Sequence, residues 1–166
     1  MGKLAEFVKS DGERIAKKRD ARQKEIAEWK DAVTELFRQM DGWLAASDPD
    51  KRVLDWAAID VPVNEPRLGE YTAPGRRVTL GDQTVRIIPR ARHVATTVRP
   101  GPAADVVQAT GLVELQEPGG LNYYVFRLPT GWYIQSVLRW NLDENRRVAE
   151  ELAPDNFEEA LLSLMR

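Results

Sequence analysis

The residues of this chain best suited to chemistry are four arginines, Arg77, Arg86, Arg90 and Arg92, with His93 directly after them. A guanidinium is a planar fork of donors that grips a carboxylate or a phosphate by two oxygens at once. Arg77 and Arg86 flank Gly81-Asp82, a two-residue hairpin signal, which places them opposite or diagonal to one another on the polar face of a β-hairpin. Like charges so placed repel unless an anion or an acidic surface compensates. With Arg90 and Arg92 on the next segment, the four make a basic strip. From Arg76 to Arg99 six arginines face one acid, Asp82, whereas from Asn141 to Arg166 seven acids face three arginines. The strip therefore has three possible counter-charges. They are acids of the chain itself (on its first helix or its acidic end), an acidic protein partner, and nucleic acid. Nucleic acid is the weakest match, because salt-dependent phosphate binding calls for a larger excess of Lys and Arg than a net charge of −2 provides.

Catalytic chemistry is harder to assemble. The chain has no cysteine, so thiolate nucleophiles, disulfides and Cys-ligated metals are excluded together. Its single histidine, His93, sits in RARHVATT and reads as an ordinary strand-edge residue. Glu114 with Glu117, or Glu150 with Glu151, would supply a pair of carboxylates. However, Glu114 alternates with Val113 and Leu115, which puts it on the solvent side of a strand, and Glu150 and Glu151 read as a solvated helix face. Phosphate-loop, dinucleotide, zinc-protease, serine-elbow and EF-hand motifs are all missing from the sequence. The expectation is a non-catalytic protein with no metal and no cofactor.

The elements that carry these residues begin with a long helix. Ser10-Asp11-Gly12-Glu13 has the form of a capping box. Beyond it Ile26, Trp29, Val33, Leu36, Met40 and Trp43 recur every three or four residues and line one stripe, which Phe37 and Leu44 widen, a width that favours packing on a sheet over a narrow two-helix seam. Asp48-Pro49 stops the helix, because a residue before proline is pushed out of the helical region. The half of the helix before Ile26 is charged, with Arg14, Lys17, Lys18, Arg19, Arg22 and Lys24 among Glu13, Asp20 and Glu25. It reads as a projecting, solvated arm. An isolated helix is marginal in water, so the arm needs support from a partner or from a second copy. On this reading the apolar stripe from Ile26 to Trp43 forms a homodimer interface.

Residues 50–58 are open between a short helix and a strand. Alternation begins at Ile59, Val61 and Val63, with Pro62 suited to an edge strand. Residues 64–75 read as a loop with one short strand at Glu70–Thr72. Strands follow at Arg76–Leu80, Gln83–Ile88, His93–Arg99 and Val106–Gln116, where Gly111 suggests a bulge. Next comes a hairpin from Leu121 to Trp140, broken at Pro129-Thr130-Gly131, whose aromatic residues should anchor the core, Trp132 among them. Asp143–Leu152 is a weak helix, and Phe157, Ala160, Leu161, Leu164 and Met165 mark a last amphipathic one.

The expected fold is α+β: a long N-terminal helix, a six- to seven-stranded, mostly antiparallel meander sheet, and a C-terminal helix packed on the sheet. One domain covers 1–166, with 1–47 as the helical arm, 59–140 as the sheet and 143–166 as C-terminal helices. No apolar run approaches the roughly 20 residues of a membrane span, and the N-terminus has no apolar signal core, so the expected location is cytoplasmic. The function these features favour is a protein-interaction or scaffold module that self-associates through its first helix. The alternative is a nucleic-acid or anion-binding module built on the arginine strip.

Overall fold

A computed structural model describes residues 2–119, 122–136 and 148–165. Helix α1 runs unbroken over Lys3–Ser47. It starts ahead of the capping box expected at Ser10. There the Ser10 hydroxyl instead donates back to the Phe7 carbonyl at 3.3 Å, inside the helix. Leu4 to Lys9 contain no breaker, so nothing stops the helix from extending to Gly2. The other end is as expected. Asp48 leaves helical geometry (φ −145°, ψ 77°), and its carboxylate accepts the N–H groups of Arg52, Val53 and Leu54 at 3.2, 2.9 and 2.8 Å. Those three bonds, Leu54's foremost, hold the Asp48 carboxyl below the usual range.

Among the described residues nine strands follow, β1 Leu54–Glu65, β2 Gly69–Leu80, β3 Gln83–Ala91, β4 Thr97–Val98, β5 Val107–Gln108, β6 Gly111–Gln116, β7 Asn122–Leu128, β8 Gly131–Ser136 and β9 Glu150–Glu151. Seven form one antiparallel meander in the order β1-β2-β3-β6-β7-β8-β9, and β4 with β5 makes a separate ribbon inserted between β3 and β6. The open segment 50–58 is strand from Leu54 onward, and Pro62 does lie on the edge strand. Gly81, at φ +62°, makes the turn that pairs Leu80 with Gln83. Helix α2 spans Pro154–Met165.

Several elements differ from expectation. Residues 64–75 are not a loop, because Glu65 pairs with Gly69 and β2 continues through Pro74 and Gly75. Only Thr97–Val98 of the strand expected at His93–Arg99 forms. The strand expected at Val106–Gln116 divides at Ala109-Thr110, where Ala109 N–H bonds Thr96 O (2.9 Å) and Thr110 N–H bonds Arg127 O (2.7 Å). Val148 to Leu152 are extended or irregular rather than helical, since Glu150 and Glu151 pair with Ile134 and Tyr133 as β9. The rest of that expected helix, and Trp140, fall outside the described residues.

Helices α1 and α2 cover one face of the sheet. Trp29, Val33, Leu36, Phe37 and Met40 of α1 and Phe157, Ala160 and Leu164 of α2 pack on Val78, Val85, Ile87, Val113, Leu115, Val125 and Ile134. Each large side chain so buried contributes about 1.5–3 kcal/mol. This corrects the assignment of the stripe to an interface between copies. Trp29, Val33, Leu36 and Met40 are 0% exposed, and Ile26 and Trp43 are half-buried at its ends. A sheet with a continuous apolar face must be covered, and the chain's own helix does it.

Candidate functional site

The point where α1 meets the β3–β4 connection gathers most of the charged chemistry. Glu25 and Glu28 sit one helical turn apart on α1. His93 Nε2 lies 2.9 Å from Glu25 Oε2. Glu28 accepts from both arms of the Arg127 guanidinium, with Nη1 at 3.2 Å, and lies 3.6 Å from Arg92 Nε. Arg127, then Arg92, hold the Glu28 carboxyl below its usual range. Arg92 also donates from Nη1 to the Thr110 carbonyl at 2.9 Å.

Beneath this collar is Glu65, a carboxylate that is 3% exposed. Its Oε1 accepts the backbone N–H groups of Arg92 and His93, both at 3.0 Å, and its Oε2 accepts the Tyr71 hydroxyl. Burial, reinforced by the Glu65 charge, pushes the Tyr71 hydroxyl far above the usual phenol range, so it remains a donor. A cleft of about 640 Å³ opens beside this group, lined by Arg67, Arg92, His93, Val94, Gln108 and Thr110 among others. The polar atoms at its wall are largely committed. Glu65 is bonded at both oxygens, His93 Nε2 faces Glu25, and Gln108 Nε2 bonds the carbonyls of Val94 and Thr96. The arrangement is that of a clamp, which ties the 92–96 connection to α1 on one side and to β1–β2 on the other.

The four arginines separate into two pairs. Arg90 Nε lies 3.2 Å from Glu114 Oε2, and Arg92 joins the collar. Glu114 is thus not on the solvent side as alternation suggested. It is 5% exposed, because the sheet's second face is itself partly covered, and Asn122 donates to it. Burial and the Glu114 charge raise the Tyr124 hydroxyl. Arg76 is likewise internal, forming a two-bond fork with Asp41 of α1 (3.0 Å each) over the Phe37 ring. Arg77 and Arg86 stand directly opposite each other in the β2–β3 register, both exposed, and neither has an ion-pair partner among the described residues. Of the expected strip, then, Arg77 and Arg86 meet as read, while Arg90 and Arg92 are balanced by acids of the chain itself.

Glu65 and Tyr71 were missed by sequence reasoning. A signal existed, since the alternation Ile59, Val61, Val63 continues to Glu65 and puts it on the buried side of β1.

The remaining candidate is the first half of α1. All but three of residues 2–25 are exposed, and the stripe that enters the core at Trp29 continues outward through Ile15, Val8 and Leu4, with Phe7 beside it. These four apolar side chains are 47–76% exposed. Among the described residues no helix is long and apolar enough to cross a membrane. Compared with protein-family models, with curated proteins and with solved structures, the chain finds no match.

Proposed function

We propose that this protein is a non-catalytic interaction module that self-associates through residues 3–25 of α1. The observation that carries the reading is the exposure of Leu4, Phe7, Val8 and Ile15 on the face of the helix that is core further along. A clustered apolar patch on an otherwise charged surface marks a contact site, and an unsupported helix loses less by ordering when something covers it. The clamp around Glu65 supports the non-catalytic part, since both Glu65 oxygens and His93 Nε2 already have partners within the chain.

The test is the solution mass of the full chain by light scattering across a concentration series, beside the variant Phe7→Asp/Val8→Asp. The expected result is a mass above the 18.8 kDa of one chain that falls to one chain in the variant. A single-chain mass for both rejects the reading.

A second reading has its own observation. Arg77 and Arg86, opposed and exposed, form a two-guanidinium site for an anion or for nucleic acid. It predicts binding that weakens steeply with salt and is lost in Arg77→Ala/Arg86→Ala.

A further inference from the structure

We infer that the α1 arm docks on a second copy of this chain, in an apolar groove at the opposite end of the same helix. The inference rests on the reading of the arm as an association element and names its receptor. The groove, about 400 Å³, lies where α1 ends, β1 begins and α2 finishes, and its apolar wall includes Leu44, Val53, Leu54, Leu80, Leu162 and Met165. Val53 and Leu162 are 66% and 46% exposed, large values for apolar side chains beside a core.

Two features match this groove to the arm. The first is apolarity, with Leu4, Phe7, Val8 and Ile15 available on one side and Val53 and Leu162 on the other. The second is charge. Asp48 and Glu158 line the groove, and from Val148 to Met165 the chain carries five acids and no base. Over residues 3–25 the arm carries eight bases, Arg14, Lys17, Lys18, Arg19, Arg22 and Lys24 among them, against five acids, a net of three positive charges. Opposed potentials of this kind steer encounter and fix register.

The occupant must come from another molecule. Leu4 and Leu44 are forty residues apart on one continuous helix, which is about 60 Å at 1.5 Å per residue. A rod of that length cannot bend back to its own far end, whereas a second copy in opposite orientation presents its groove to the arm. Reciprocal exchange then buries both arms and closes a two-fold dimer.

The absence of cysteine makes the test clean. Phe7→Cys and Leu162→Cys chains, purified separately with different tags, are mixed and oxidised. The expected product is the mixed covalent dimer, in excess over Phe7→Cys joined to itself. In the second arm of the experiment, Leu162→Asp weakens association more than roughly tenfold, as loss of an anchoring hydrophobe does. Leu162 is exposed, so the fold is kept, which circular dichroism checks. If Phe7→Cys joins only itself and Leu162→Asp associates like the wild type, the groove is not the receptor, although self-association through the arm stands. A wild-type chain that stays single at every concentration overturns both.

Discussion

The indole of Trp29 occupies the space that a side chain at residue 111 would need. A Cβ built on Gly111 falls within the van der Waals envelope of Trp29 Cζ3 and Cη2. Gly111 opens β6 at the point where α1 crosses the sheet, so the glycine expected to mark a bulge instead permits close approach of helix and strand.

Gly111→Ala is therefore expected to destabilise the fold by about 1–3 kcal/mol, the usual range for overpacking a closed core. Equilibrium urea unfolding checks this, and an unchanged midpoint would show that Trp29 has room to move.

Trp132 stacks against Trp29 with ring centroids 6.0 Å apart but is only half-buried, whereas Trp29 is 0% exposed. Trp29→Ala should cost about 3–5 kcal/mol, as for other buried aromatics, and Trp132→Ala distinctly less. Equal losses in denaturant titrations would contradict this ranking.

Glu65 accepts from three donors, the Tyr71 hydroxyl and the backbone N–H groups of Arg92 and His93. Glu65→Ala is expected to cost about 1–3 kcal/mol by leaving the Tyr71 hydroxyl and two backbone N–H groups without their acceptor. Tyr71→Phe removes one donor and leaves the other two in place, so it should cost less. Thermal unfolding of both variants gives the comparison, and a Tyr71→Phe loss as large as that of Glu65→Ala would contradict the clamp.

Acid should loosen the collar in a defined window. Arg127 lowers the folded-state pKa of Glu28 below its ordinary 4.5, so the unfolded chain takes up the proton first. The stabilisation is complete above about 4.5 and is lost as pH falls through the lower folded value. The stability difference between wild type and Glu28→Gln should thus be flat from neutrality to about pH 5 and shrink below it. A difference that stays constant down to pH 3 would mean that the Glu28–Arg127 contact carries no charge-dependent stability.

How far these features are legible in the sequence depends on the range of the interaction behind each. The stripe from Trp29 to Leu44, the Gly81-Asp82 turn and the apolar face of α2 are local periodicities, and each forms where the pattern puts it. Alternation failed at Glu114, since whether the second face of a strand meets water depends on what other parts of the chain lay over it. The β-branched run from His93 misled in its turn, because the 92–96 segment answers to Glu65 and Glu25, distant in sequence, and not to its own strand-forming residues. The stripe was read correctly as a buried surface. Its partner is the chain's own sheet, which the width added by Phe37 and Leu44 favoured, whereas assigning the stripe to an interface between copies left out the sheet's apolar face.

On the proposed reading α1 is two things, a core helix from Trp29 to Leu44 and an exposed arm before it that association would cover. Amide hydrogen exchange along α1, at low and at high protein concentration, tests both halves at once. The expected pattern is slow exchange over residues 29–44 at both concentrations, with residues 3–24 fast when dilute and slowed when concentrated. Exchange over residues 3–24 that is the same at both concentrations would contradict the account.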